Sequence, residues 1–82
     1  MEEQRWSMAV VLETGESGRL RAICSTAEAL RFLTDDWPVN PGPANRLGRA
    51  ACLAVLKEGM PVDHAREAFV AAAMEAGILS KS

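Results

Sequence analysis

Trp6-Ser-Met-Ala-Val-Val-Leu-Glu13, Thr14-Gly-Glu-Ser-Gly18 and Arg19-Leu-Arg-Ala-Ile-Cys24 form the stretch on which the architecture depends. The first segment is rich in strand formers. The third alternates polar with apolar residues, the period-2 signature of a half-buried strand. Between them Gly15 and Gly18 supply turn chemistry, because glycine reaches positive φ without a Cβ clash. The spacing predicts a β-hairpin with strands over about 6–13 and 19–24. Trp6, Met8, Val10 and Leu12 are expected on one face with Leu20, Ala22 and Cys24. Ala9, Val11 and Ile23 are expected on the other, between Arg19, Arg21 and Glu13. A lone hairpin is marginal in water, so this one must pack on helices.

Downstream, Ser25-Thr26-Ala27-Glu28 has the form of a capping box and opens a helix over about 26–36. That helix carries Ala29, Leu30, Leu33 and Trp37 on one stripe and must stop before Pro38. The segment 38–43, Pro-Val-Asn-Pro-Gly-Pro, is a stiff connector. A second helix is predicted over 44–58, its stripe Leu47, Ala50, Ala51, Ala54 and Val55 widened by Leu53 and Leu56, with Gly59 as its left-handed stop. A third, over 61–76, has a stripe of Val62, Ala65, Phe69, Ala72, Ala73 and Ala76. Gly77 ends it, and Ile78-Leu79 can fold back as an apolar cap. The expected fold is therefore α+β, a single ββααα domain spanning 1–82. Helices two and three form an antiparallel pair whose alanines allow close approach.

Composition narrows the function. The chain has 82 residues, 49% of them hydrophobic and 24% charged, with 9 basic against 11 acidic side chains for a net charge of −2. This acidic balance disfavours general nucleic-acid or anionic-membrane binding. No apolar run reaches the roughly 18–20 residues of a membrane span. The start Met1-Glu2-Glu3-Gln4-Arg5 has no signal-peptide pattern, so a cytoplasmic location with Cys24 and Cys52 reduced is expected.

Neither metal nor nucleophilic chemistry finds a motif. Cys24, Cys52 and His64 match no zinc spacing. Gly15-Glu16-Ser17-Gly18 is not a nucleophile elbow, and no glycine-rich phosphate loop is present. The pair Asp35-Asp36 sits at a helix C-terminus, where a solvated role is the ordinary one. Helix three carries Asp63, Glu67 and Glu75 against Arg66, a balance that phosphates would repel, so a helix–turn–helix DNA reader is not expected.

The most informative feature is an uneven charge distribution. Between Asp36 and Glu58 there is no acidic residue, yet Arg46, Arg49 and Lys57 lie there. Arg46 and Arg49 are three apart near the start of helix two, and helix N-termini attract anions. Trp37, Asn40 and Asn45 flank that end. A small anion or acidic peptide is one candidate ligand, with Trp37, Asn45, Arg46 and Arg49 as binding residues. The plainer reading pairs the arginines with Asp35, Asp36 or acids of helix three, and pairs Arg66 with Asp63.

Ser25-Thr26-x-Glu28-Ala29-x-x-Phe32-Leu33, Trp37-Pro38, Gly42-Pro43, Cys52, Gly59 and Ala65-Arg66-x-Ala68-Phe69-x-x-Ala72 together resemble a small bacterial family, domain of unknown function 982. The resemblance runs from the first strand to Gly77-Ile78 and implies a compact α+β domain with no activity, cofactor or partner attached. The family pattern has an aromatic just after the Gly-Pro, whereas this chain has Ala44-Asn45-Arg46-Leu47.

The expected function is a non-enzymatic interaction or regulatory module without cofactor or metal. Its expected partner is a second copy or another protein. The motive is the apolar second face, Ala9, Val11 and Ile23, beside a first strand whose edge no proline guards. The alternative is the anion or acidic-peptide module at helix two.

Overall fold

Ser25 turns the chain from strand into helix, and the architecture is assembled around that corner. The computed structural model describes residues 5–14 and 18–80. Strands β1 (Arg5–Thr14) and β2 (Arg19–Ser25) form an antiparallel hairpin. Helices α1 (Thr26–Asp35), α2 (Pro43–Glu58) and α3 (Val62–Ala76) follow, giving the expected ββααα order. Glycine is required at the predicted stops: Gly59 has φ 75° and Gly77 φ 73°, where a side chain would be strained. The expected turn at 15–17 lies outside the described residues.

At the corner the Ser25 hydroxyl accepts the Glu28 N–H at 3.2 Å. The Glu28 carboxylate reaches back one residue beyond the usual capping-box partner and accepts the Cys24 N–H at 2.9 Å. All four aromatic side chains of the protein, Trp6, Phe32, Trp37 and Phe69, meet in one cluster with centroid separations of 5.6–6.4 Å. These tilted and edge-to-face geometries suit the ring quadrupoles. Trp6 anchors the hairpin to this cluster, and its indole N–H donates to Thr26 Oγ1 at 3.0 Å. The Arg21 guanidinium lies 4.8 Å from the centre of the Phe32 ring and 3.9 Å from Asp36.

The hairpin register corrects one expectation. Val10 pairs with Ile23, Leu12 with Arg21, and Val11 with Ala22. Directly paired residues share a face, so Ile23 joins Val10 and Leu12 in the core and is fully buried. Leu20, Ala22 and Cys24 lie outside. The expectation was one residue out, and a one-residue slip exchanges the two faces of a strand. A bulge between Arg5 and Val10 also breaks the alternation in β1. Trp6 and Val10 are buried while Met8 between them is 67% exposed.

Helix α2 is rotated relative to its predicted stripe. Asn45, Gly48, Ala51, Cys52 and Val55 face inward, while Leu47, Leu53 and Leu56 are exposed. Gly48 explains the rotation. A Cβ there would sit 3.3 Å from Leu33 Cδ1 and 3.6 Å from the Ala68 carbonyl oxygen, so the missing side chain lets α2 lie against both α1 and α3. The stripe of α3 follows its periodicity: Ala65, Phe69, Ala72 and Ala73 are buried.

Burial pushes the Cys52 thiol up from 9.0 to about 11. The folded state therefore holds this proton more tightly than the unfolded chain. The linked stabilisation is whole below pH 9 and is lost as pH rises toward 11. Urea midpoints measured from pH 8 to 11 should fall more steeply for wild type than for Cys52→Ala. Cys24 is exposed and Cys52 buried, so Ellman's reagent should titrate Cys24 in the native protein and Cys52 only on unfolding.

Candidate functional site

The start of α2 is the alternative site the sequence offers, for a small anion or acidic peptide, and the fold brings a carboxylate of the chain itself to it. Pro43 occupies the first turn, where its missing N–H costs nothing. The Ala44 N–H then donates to Glu75 Oε1 at 3.2 Å. Gly42 allows this approach, since a Cβ on it would fall 2.6 Å from the same oxygen. Glu75 of α3 thus places a carboxylate at the positive end of α2, the position an external anion would take. Glu75→Ala should cost about 0.3–1 kcal/mol, read as a lower urea midpoint, with a smaller loss at high salt.

The other expected binding residues serve the same junction. Asn45 is buried, donating through Nδ2 to the Leu33 carbonyl oxygen at 3.2 Å and accepting the Arg49 Nε–H on Oδ1 at 2.9 Å. It ties the end of α1 to the start of α2 and holds Arg49 in place. Trp37 is half-buried over Phe32 and Phe69. Arg46 remains exposed. The fold therefore joins Asn45 and Arg49 to each other, places Trp37 in the aromatic cluster and leaves Arg46 exposed. Arg66 does not turn to Asp63; its Nε–H donates to the Met8 carbonyl oxygen at 3.1 Å.

That contact belongs to the second site, the hairpin. The outer edge of β1 was expected to be open, and it is closed. The Glu13 N–H donates to the Ile78 carbonyl at 2.7 Å and the Ser80 N–H to the Val11 carbonyl at 2.9 Å. Leu79 bridges antiparallel to Leu12, while Arg66 donates to the Met8 carbonyl oxygen. The segment after α3 thus acts as a short third strand, placed there by the left-handed turn at Gly77.

The opposite edge differs. Because Val11 and Glu13 direct their backbone groups toward residues 78–80, the alternating residues Val10, Leu12 and Thr14 direct theirs toward β2. Their partners Ile23, Arg21 and Arg19 point back. Leu20, Ala22 and Cys24 consequently direct N–H and C=O away from the hairpin. The Cys24 N–H is taken by Glu28; the backbone groups of Leu20 and Ala22 have no hydrogen-bond partner among the described residues. Leu20 is 59% exposed, Ala9, Ala22 and Cys24 are exposed and Val11 is half-buried. Ile23, expected on this surface, lies in the core instead. Beside the β2 edge is a concavity of about 480 Å³ lined by Arg21, Ala27, Glu28, Arg31 and Asp36.

With this geometry in view, the family comparison is decisive. The model of the protein family of unknown function DUF982 matches residues 8–80. The chain belongs to the DUF982 family. The chain is also similar to the NMR structure of Agrobacterium tumefaciens protein Atu1219, a structural genomics target, with a TM-score of 0.78 at 29% identity over 98% of this chain and 79% of that one. No curated protein matches. DUF982 membership fixes the fold and leaves activity open. No helix among the described residues is long and apolar enough to cross a membrane, and no group of three or more His, Cys, Asp or Glu among them could hold a metal ion.

In this DUF982 chain, Glu75, Arg66 and residues 78–80 are the contributors that sequence reasoning missed. Each acts on an element distant in the chain: Glu75 is 31 residues from Ala44 and Arg66 is 58 from Met8. Only the backing of Ile78-Leu79 as an apolar cap hinted at the third strand.

Proposed function

We propose that this DUF982 protein is a non-enzymatic interaction module whose docking surface is the β2 edge with the outer hairpin face. The observation that carries the reading is the asymmetry between the edges. One edge of the sheet is covered by residues 78–80 and Arg66, whereas the other offers the Leu20 and Ala22 backbone groups beside the exposed Leu20 side chain. Open edges template strand addition, and proteins that do not use them usually guard them with charge, proline or a bulge. Here the bulge and the covering segment stand on β1, while β2 carries Arg19 and Arg21 and, among the described residues, has only its Cys24 N–H covered, by Glu28.

The test is gel filtration of native-cell extract containing tagged protein at its normal level. Wild type should elute in an assembly larger than the 8.8 kDa chain, and Leu20→Lys should shift it to the monomer position. Leu20 is exposed, so that substitution leaves the monomer fold intact. Wild type eluting as a monomer would sink the reading.

A further inference from the structure

The outer side of α2 carries a second surface, independent of the β2 edge. Arg46, Arg49, Leu53 and Leu56 follow one another at spacings of three, four and three, so they line one stripe of the helix. Arg46 is exposed and Arg49 half-buried, while Leu53 and Leu56 are 40% and 38% exposed. The residues that α2 turns to the core lie on another face. We infer that this stripe receives an acidic amphipathic helix of another protein. Its carboxylates meet Arg46 and Arg49, and its apolar side chains meet Leu53 and Leu56. The three-four spacing presents side chains to a helix; a strand, with its period of two, would match only some of them.

The charges around the stripe decide the sign of its partner. Helix α2 has three basic side chains, Arg46, Arg49 and Lys57, against one acid, Glu58, which lies roughly 160° around the helix from the stripe. The acids of the neighbouring elements do not answer the arginines. Asp36 lies against Arg21 at 3.9 Å, Glu28 is engaged with the Cys24 N–H and Glu75 with the Ala44 N–H. Asp35, Asp63 and Glu67 form no ion pair with Arg46, Arg49 or Lys57 among the described residues. Arg49 is held through its Nε–H by Asn45 Oδ1, which fixes the guanidinium and leaves its terminal nitrogens for a carboxylate. The α2 stripe of a second copy does not fit, because none of its four positions is acidic. An anionic membrane is disfavoured by the net charge of −2.

Designed helical peptides with a terminal fluorophore are the probe, read by anisotropy against the purified full chain. Each carries a Glu pair and a Leu pair at consecutive heptad seam positions, and the two possible orders cover both helix orientations. Wild type should bind one of them saturably at micromolar protein. Arg46→Glu should weaken that binding at least tenfold and should take the matching Lys-pair peptide better than wild type does. Leu53→Ala should weaken it too, whereas Leu47→Ala should not. Leu47 is 69% exposed but lies roughly 140° around the helix from the stripe, so it separates this site from general stickiness. All three positions are exposed, and an unchanged circular dichroism spectrum checks that each variant is folded. Equal loss from Leu47→Ala, or no preference between Glu and Lys peptides, overturns the stripe as the site. No binding of either Glu peptide at millimolar protein overturns the acidic helix as occupant. Binding instead to phosphatidylglycerol vesicles, lost in Arg46→Glu, would overturn it in favour of an anionic lipid surface.

Discussion

Phe69→Ala should produce the largest loss of stability of any single truncation in the core, about 3–5 kcal/mol. The Phe69 ring is fully buried and sits 5.7 Å from Trp6, 6.4 Å from Phe32 and 6.3 Å from Trp37. It is the one side chain touching the other three aromatics, so removing it withdraws α3 from the hairpin and from α1 together. Truncation of a buried phenylalanine costs about 3–5 kcal/mol through lost transfer energy and the residual cavity. A domain of this length has about 4–12 kcal/mol in total. The loss is therefore a quarter or more of the whole, and at the low end all of it. Urea titration followed by far-ultraviolet circular dichroism reads the effect directly. Met74→Ala on the exposed side of the same helix, where Met74 is 64% exposed, should stay within about 0.5 kcal/mol of wild type. A Phe69→Ala midpoint equally close to wild type would mean that the aromatic cluster is not the organising core.

Asn45→Ala is the second large effect, expected at about 2 kcal/mol from the desolvated partners it abandons. The Leu33 carbonyl loses its side-chain donor, and Arg49 loses the oxygen that holds it. Asn45→Asp separates the two contacts. A carboxylate still accepts from Arg49, but it turns an acceptor toward the Leu33 carbonyl in a buried site. Burial raises the pKa of such a carboxyl, and protonation restores a donor. Asn45→Asp should therefore be destabilised at neutral pH and recover part of its loss on acidification, opposite in sign to ordinary acid denaturation. Melting temperatures at pH 7 and pH 5 relative to wild type measure this. An unchanged difference between the two values would remove the donor role from the explanation.

These effects show which parts of the molecule were legible in the chain. The hairpin, the three helices and their order follow from local rules: period-2 alternation in Arg19–Cys24, the Ser25–Glu28 box, prolines at 38–43, and glycines at 59 and 77. Each is a property of neighbouring residues, and each stands where those residues stand. The core stripe of α3 was legible because its one aromatic, Phe69, lies at the centre of an i, i+3, i+4, i+7 pattern. That of α2 was not, because its largest apolar side chains, Leu47, Leu53 and Leu56, lie off the inward face. The inward face was chosen by Gly48, through the space it leaves for Leu33 and Ala68.

The candidate sites depended on contacts that no spacing encodes. Arginines near a helix N-terminus suggested a small-anion or acidic-peptide ligand there, and the fold places the Glu75 carboxylate of α3 on the Ala44 N–H at that end. An apolar hairpin face with an open edge was foreseen, yet the open strand is β2 because the Ile78–Ser80 segment and Arg66 reach β1 first. The outward side chains changed with it, since β2 pairs one residue away from the expected register. Local chemistry sets which elements form, because capping, turns and periodicity act within a few residues. Which face is buried, which edge is free and which charge is answered are set by residues tens of positions apart, and only close packing brings them together.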